Sequence, residues 1–184
     1  QISSVLTDAG FESYLVGGCV RDLVIGRIPK DWDIATNATP EEIIKLFEHT
    51  FYENQFGTVG VVIGKGEGEM VIEVTPFRNE SEYSDARHPD KVEWADTIEE
   101  DLARRDFTMN AIAARVTGGS LQLIDPFVGE RDIEKKLIRT VGKPEERFRE
   151  DALRMLRALR FSAELNFAIE LETQTAIQEN AVLL

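Results

Sequence analysis

The sequence predicts an α+β protein, in which a mixed β-sheet domain is followed by a helical domain. The apolar run Tyr14 to Val16 enters a glycine pair and continues at helical spacing, which is typical of a strand, a tight turn and a helix. β-Branched runs at 57–63 and 70–75 flank a glycine-rich loop, as in a hairpin. From Arg131 onward the apolar spacing is helical.

The elements between these segments follow from turn and capping signals. Trp32 to Ala35 is predicted as a second strand. Thr39 and Glu42 predict a capping box with Pro40 at the first helical position. Residues of that helix expected to face inward are Ile43, Ile44 and Phe47.

The stretch Asn79 to Asp96 is polar and has little periodicity. It is too long for an ordinary connection, so it is predicted to be either disordered or a working loop. Thr97 and Glu100 predict another capping box, and a last hairpin is expected around Gly118-Gly119.

No strand is predicted after Asp125-Pro126, and the domain boundary is placed near Val141. This predicts a sheet domain at 1–140 and a helical domain at 141–184. The chain starts without a methionine and ends on an apolar pattern without a helix stop signal, so we expect a fragment of a longer protein.

Composition limits the classes of function. The chain lacks a membrane-spanning apolar run and a signal peptide, so a soluble, cytoplasmic protein without a membrane partner is expected. A net charge of −13 argues against a generic polyanion binder unless the basic residues cluster. They do cluster in part, at 147–160 and at Arg104-Arg105.

Asp31 and Asp33 are candidate metal ligands. They are separated by one residue in a predicted strand, so both carboxylates are expected on one face. Paired carboxylates suit hard cations such as Mg²⁺, which support displacement at phosphorus. Taken alone, this short motif is more often an exposed strand face or a turn.

The glycine pair is a candidate phosphate site. Gly17 and Gly18 open a strand-to-helix turn, where backbone N–H groups can receive phosphate oxygens. Arg21, one turn into the helix, could reach the same phosphates, and Asp22 either holds Arg21 or contacts substrate. The spacing matches neither a dinucleotide-binding fingerprint nor a P-loop.

Four motifs then occur in order: Gly17-Gly18-x-x-Arg21-Asp22, Asp31-x-Asp33, Arg104-Arg105-Asp106-Phe107-Thr108-Met109-Asn110-Ala111 and Glu150-Asp151-x-x-Arg154-x-x-Arg157. On these motifs the chain resembles the class II tRNA nucleotidyltransferase and bacterial poly(A) polymerase family, within the polymerase β-like superfamily. The resemblance covers nearly the whole chain.

The resemblance implies a nucleotidyltransferase head with five mixed strands and a helical neck that selects the nucleotide. It implies that Asp31 and Asp33 are catalytic and bind Mg²⁺, while Glu73 is either a further metal ligand or solvated. Asp106 is expected to anchor Arg104 and Arg105 by ion pairing. The nucleotide-binding residues implied are Gly17, Gly18, Arg21, Asp22, Arg104, Arg105, Asp106, Asp151, Arg154, Arg157 and Arg160.

The last motif also has a physical interpretation. Asp151 and Arg154 are three residues apart in a predicted helix, hence neighbours on one face. Cytosine and adenine both present an amine donor beside a ring-nitrogen acceptor, so a carboxylate and a guanidinium could pair with either base. The alternative is an ordinary surface salt bridge.

The resemblance therefore implies an Mg²⁺-dependent enzyme that adds C and A from CTP and ATP to the 3′ end of tRNA, releasing pyrophosphate. Poly(A) polymerases of the family usually carry a basic stretch where this chain has 55–61, which favours tRNA. An enzyme that adds only A stays open. A non-catalytic RNA-binding module would be expected to lose a metal carboxylate, yet both are present.

The family's flexible loop corresponds to 79–96, which is full length in this chain. Residues of interest in that loop are Tyr83, Asp85, Arg87, His88 and Pro89. His88 is expected to be a loop residue rather than a general base, because a cation can activate the attacking hydroxyl.

Overall fold

The computed structural model describes residues 1–52, 57–64, 66–81, 91–117 and 120–184. In chain order the helices are α1 (Ile2–Asp8), α2 (Gly18–Ile25), α3 (Pro40–Leu46), α4 (Ile98–Ala103), α5 (Gly129–Glu134), α6 (Pro144–Glu150), α7 (Leu153–Leu165) and α8 (Leu171–Asn180). The strands are β1 (Ser13–Val16), β2 (Asp33–Thr36), β3 (Thr50–Tyr52), β4 (Val59–Ile63), β5 (Met70–Pro76), β6 (Arg78–Ser81), β7 (Lys91–Trp94), β8 (Ala113–Thr117), β9 (Ser120–Ile124), β10 (Leu137–Ile138) and β11 (Ala168–Ile169).

The main sheet is mixed, as predicted, and the α+β class is confirmed. Among the described residues it has seven strands in the order β3-β4-β5-β2-β1-β8-β9, rather than the five that the resemblance implied. The β2 and β5 strands are parallel, and the other neighbours are antiparallel. The sheet is larger because hairpin partners add one strand at each edge, β3 beside β4 and β9 beside β8.

The edge strand β3 explains a glycine in its neighbour. Phe51 pairs with Gly60 across the ladder. A Cβ atom at Gly60 would lie only 2.5 Å from the Phe51 ring, so the ring covers the bare backbone of the glycine. This strand gave no strong pattern in the sequence because its side chains are mostly exposed.

Both predicted capping boxes are present, at Thr39 with Glu42 and at Thr97 with Glu100. Ile43 is buried as expected, and Phe47 is partly buried. Ile44, expected to face inward, is 38% exposed, because one residue further along a helix rotates the side chain by about 100°. That expectation was wrong.

The polar segment at 79–96 was predicted to be disordered or a working loop. Its two ends instead form strands, β6 and β7, that pair with each other. β6 and β7 pair from Arg78 with Trp94 to Ser81 with Lys91, so the backbone N–H and C=O groups of the two strands form an antiparallel ladder. The loop residues Tyr83, Asp85, Arg87, His88 and Pro89 lie outside the described residues, as do the turn glycines of the last hairpin.

The helical part departs from expectation in two places. β10 and β11 form a short parallel pair after Pro126, where no strand was predicted. The predicted helix from 150 to 164 is broken, since Asp151 has extended backbone (φ −142°, ψ 104°) between α6 and α7. The Asp151 carboxylate accepts a hydrogen bond from the Leu153 N–H at 2.9 Å, which satisfies the first backbone donor of α7.

One hydrophobic cluster joins the sheet part to the helical part. It includes Val20, Phe107 and Ile112 from the first part and Ala158 and Phe161 from α7. In addition, the Val141 N–H donates to the Asp106 carbonyl at 3.0 Å. The two parts therefore pack as neighbours, which places α2 beside α7. No helix in the described ranges is both long and apolar enough to cross a bilayer.

Candidate active site

A cleft of about 830 Å³ lies between the first turn of α2, the start of β2 and the inner face of α7. It gathers residues from all four sequence motifs. The predicted site residues that line it are Gly17, Gly18, Arg21, Asp22, Asp31, Asp33, Arg104, Arg105, Asp106, Asp151, Arg154, Arg157 and Arg160. Glu73 is not among the residues that line the cleft.

Gly17 forms the floor at one end of the cleft. Its φ of +72° lies in the left-handed region, which strains an L side chain. A Cβ atom there would lie 2.9 Å from Nη1 of Arg105 and 3.7 Å from Oδ2 of Asp33. The bare backbone therefore lets a guanidinium and a carboxylate approach the same turn.

Arg21 is buried and held from two sides. Its Nε and Nη2 donate to Oδ1 of Asp22 at 2.9 and 2.7 Å, and its Nη1 donates to Oδ1 of Asn110 at 3.0 Å. Of the two roles considered for Asp22, the geometry shows that of holding Arg21. These contacts fix the guanidinium in the cleft.

Asp101 anchors the arginine pair, not Asp106 as expected. Arg104 donates through Nε and Nη2 to Oδ1 of Asp101 at 3.1 and 2.8 Å, and Arg105 donates through Nη2 to Oδ2 at 3.0 Å. Burial alone would raise the pKa of Asp101, but the nearby Arg105 and Arg104 guanidinium groups outweigh it and hold that pKa below its ordinary value. The reason is helix geometry, since Asp101 precedes the arginines by three and four residues.

Asp106 instead ties the sheet part to α7. Its Oδ1 accepts from the Phe107 N–H at 2.8 Å and from Nδ2 of Asn110 at 3.2 Å. Its Oδ2 accepts from Nε of Arg157 at 2.7 Å, and Nη2 of the same guanidinium lies 2.7 Å from Oδ2 in an ion pair. The carboxylate is buried and compensated by these donors.

Asp151 and Arg154 do not form the surface salt bridge that was the alternative interpretation. Arg154 is 6% exposed and donates to Oε2 of Glu150 at 2.7 Å and to the carbonyls of Arg147 and Arg104, both at 3.3 Å. Asp151 makes no ion pair within the described part of the chain, and it lines the same cleft. The two side chains are therefore presented to the cleft rather than to each other.

The carboxylates expected to bind metal lie at the start of β2. Asp33 is its first residue and Asp31 precedes it, so only one of the two is in the strand. Glu73 pairs with Asp33 across β5 and β2. Among the described residues, no group of three or more histidine, cysteine, aspartate or glutamate side chains is arranged to hold a metal ion. The assignment of Glu73 to a metal stays a prediction.

Sequence reasoning missed several lining residues. Phe161 and Glu164 lie four and seven residues after Arg157, a spacing that puts them on the same helix face. Lys30 adjoins Asp31. The lining residues that were not predicted are Cys19, Arg27, Ile28, Lys30, Asn110, Phe161, Glu164 and Leu165.

Several CCA-adding enzymes are similar in sequence to this chain. The CCA-adding enzyme of Geobacillus kaustophilus is 52% identical over 176 residues, which cover 95% of this chain and 42% of that protein. The CCA-adding enzyme of Ligilactobacillus salivarius is 49% identical over 180 residues, covering 97% of this chain and 43% of that protein. The chain thus spans less than half the length of these relatives.

Two solved structures share the fold. The Bacillus stearothermophilus CCA-adding enzyme in complex with CTP superposes with a TM-score of 0.86 and 46% identity, over 99% of this chain and 42% of that one. A tRNA nucleotidyltransferase complexed with a primer tRNA and an incoming ATP analogue gives a TM-score of 0.80 and 32% identity, over 100% of this chain and 50% of that one.

The sequence profile of the poly(A) polymerase head domain matches residues 13–139, more than half of the chain. The chain therefore belongs to the family of tRNA nucleotidyltransferases and bacterial poly(A) polymerases that share this head domain.

Proposed function

We propose that this chain carries the nucleotidyl-transfer site of an enzyme that adds C and A, from CTP and ATP, to the 3′ end of tRNA. The observation that carries the proposal is the shared cleft, in which Asp31, Asp33 and Arg105 line the same space as Asp151 and Arg154. The relatives named above as CCA-adding enzymes support the choice of substrate.

The proposed division of the chain is a catalytic head at 1–140 and a nucleotide-selecting neck at 141–184. The family profile ends at residue 139, which supports this boundary. In the proposed reaction the RNA 3′ hydroxyl attacks the α-phosphate. The bond from the α-phosphorus to the bridging oxygen breaks, and pyrophosphate leaves.

The donor set at Asp31 and Asp33 fits a hard divalent cation. Both residues line the cleft, and the bare backbone of Gly17 lies beside Oδ2 of Asp33. Mg²⁺ held by these two side chains would supply charge neutralisation at the phosphate and a lower pKa for the attacking hydroxyl. Glu73 is kept as a candidate third ligand.

The phosphates would be oriented by arginines. Arg21 is fixed by Asp22 and Asn110, and Arg105 is tethered to Asp101 through a single nitrogen. Nη1 of Arg105 lies beside the Gly17 turn and donates no hydrogen bond to a described residue, so a donor remains there for an anionic ligand. Such fixed guanidinium groups bind phosphate oxygens without reorganisation.

The base would be read by Asp151 and Arg154. Three hydrogen bonds hold the Arg154 guanidinium, which has five N–H groups. Two of these N–H groups therefore have no acceptor among the described residues and are left to donate to a base. Asp151 can accept from the exocyclic amine of cytosine or adenine while Arg154 donates to the ring nitrogen. Guanine and uracil reverse this pattern and would leave buried groups unpaired, which can reject them by factors of about 10⁴.

The charge of the cleft differs from that of the chain. The whole chain has 34 acidic and 21 basic residues, whereas eight basic and six acidic residues line the cleft. Arg27 and Lys30 line it without an ion pair to any described residue. The local excess of cations would favour binding of nucleotide and RNA phosphates there despite the acidic total.

The test is incorporation of labelled nucleotides into tRNAs that end before CCA, after C and after CC, with each of the four triphosphates and Mg²⁺. Addition of C and then A, abolished by Asp31→Ala, is the expected result. Addition of A alone after CC would indicate an A-adding enzyme, and long A tails a poly(A) polymerase. Absence of both CTP binding and incorporation would contradict the proposal and favour a non-catalytic module.

CTP binding provides a separate measurement. Arg154→Ala is expected to weaken it strongly. The matched control Arg149→Ala removes an exposed arginine on α6 that does not line the cleft, and it should leave CTP affinity unchanged.

A further inference from the structure

Phe161 lies at the centre of an arginine cluster. The residue is 5% exposed and lines the cleft from α7. The guanidinium carbons of Arg21, Arg157 and Arg160 lie 5.3, 5.3 and 5.0 Å from the centroid of the ring. One aromatic side chain therefore contacts cations from two separate elements, α2 and α7.

The three cations are gathered at an electrostatic cost. Each has its own carboxylate partner, Arg21 with Asp22 at 2.7 Å, Arg157 with Asp106 at 2.7 Å, and Arg160 with Glu164 at 3.8 Å. Like charges near one point repel, and the negative face of an aromatic ring offsets part of that repulsion. Such a cluster is stabilised further by an anion that contacts all three cations.

The proposed function supplies that anion. Arg21 lies one turn from the Gly17-Gly18 turn, and Arg157 and Arg160 face the same cleft. We propose that Phe161 is a positioning residue that gathers Arg21, Arg157 and Arg160 into one binding site for the triphosphate of the incoming nucleotide. This inference rests on the proposed function and deepens it by assigning the ring that holds together three arginines already expected to bind the nucleotide.

Phe161 also packs in the core, where it meets Phe107 edge-on with ring centroids 6.0 Å apart. A packing role depends on the size and hydrophobicity of the ring. A role in holding cations depends on the electron density of its face. Fluorination separates the two, because fluorine withdraws that electron density and changes the shape of the ring little.

The experiment uses the full chain with Phe161 replaced site-specifically by mono-, tri- and pentafluorophenylalanine. The dissociation constants of CTP, inorganic tripolyphosphate and cytidine are measured, together with Tm. We expect the constants of CTP and tripolyphosphate to rise in parallel with each added fluorine, by about tenfold at pentafluorophenylalanine. Cytidine affinity and Tm should stay constant.

Two control variants complete the test. Pentafluorophenylalanine at Phe148, which is fully buried in a different cluster, should change none of the affinities. Phe161→Leu keeps an apolar side chain without a ring. It should weaken tripolyphosphate binding at least as much as pentafluorophenylalanine does.

If all the fluorinated variants bound CTP and tripolyphosphate as tightly as the unmodified chain does, the role of Phe161 would be overturned. The proposed function would be left intact. Weakened cytidine binding in step with Tm would equally overturn the role of Phe161 in favour of packing. If the unmodified chain bound neither CTP nor tripolyphosphate, the triphosphate site itself would be absent and both proposals would fall.

Discussion

Asp101→Asn is expected to destabilise the fold and loosen the arginine pair. Asp101 is 1% exposed and accepts three side-chain hydrogen bonds from two guanidinium groups, which are themselves mostly buried. Removing one partner from a buried ion pair costs about 3–5 kcal/mol, because the remaining charges stay desolvated. For a chain of this size that loss should lower Tm by roughly 10 °C.

The effect of Asp101→Asn should depend on pH. Because the pKa of Asp101 is held below its ordinary value, its carboxylate stabilises the fold fully above the unfolded pKa of about 4. That contribution is lost as the pH falls through the folded pKa. Urea unfolding should therefore show a large difference between the two proteins at pH 7 that shrinks as the pH falls below about 4.

The matched control for Asp101→Asn is Glu99→Gln, an exposed carboxylate in the first turn of the same helix, which should cost less than about 0.5 kcal/mol. CTP affinity should fall in Asp101→Asn, because Arg105 is no longer held, and stay constant in the control. Equal unfolding free energies for the variant and the unmodified chain at pH 7, or a difference that persists unchanged in acid, would refute the reasoning.

Three further predictions concern the cleft. Gly17→Ala adds a side chain at φ +72° and places its Cβ 2.9 Å from Nη1 of Arg105. We expect it to lower the free energy of unfolding by about 1–2 kcal/mol and to weaken CTP binding. The control Gly26→Ala, at φ +80° with open space around it, should cost similar stability and leave CTP affinity unchanged in the same titration. Arg154→Lys cannot reproduce the three hydrogen bonds that hold the guanidinium. Competition assays with all four triphosphates should therefore show discrimination against GTP and UTP reduced by about 10- to 100-fold. The control Arg149→Lys should keep the original discrimination. Asp33→Asn should abolish nucleotide incorporation, and adding Mg²⁺ after chelation should not restore activity in this variant. Its affinity for Mn²⁺, measured by electron paramagnetic resonance, should also fall. Unchanged Mn²⁺ affinity would contradict a metal role for Asp33.

Local signals in the sequence predicted much of the fold. The capping boxes at Thr39 and Thr97 and the glycine turn after β1 depend on neighbours within about four residues, so spacing alone identified them. The strand β3 and the pair β10 and β11 were not predicted. Their pairing partners lie elsewhere in the chain, and their own side chains show no strong alternation.

The site residues were predicted better than their contacts. Every predicted residue except Glu73 lines the cleft, since the motifs carry side-chain type and order. The ion pairs were predicted less well, because Asp101 rather than Asp106 anchors Arg104 and Arg105. Both carboxylates were within reach in sequence, but Asp106 is engaged by Arg157 of α7, a contact between residues 51 positions apart that local spacing does not encode.

Residue type and spacing were enough to identify a glycine turn, a carboxylate pair and an arginine-rich segment, together with the family they resemble. Their arrangement in space required the tertiary structure. The break at Asp151 separates its carboxylate from Arg154, and the packing of α7 against α2 brings Arg21 to the ring of Phe161. Contacts between residues more than a hundred positions apart depend on how helices and sheet bury their apolar faces together, which no local spacing in the chain encodes.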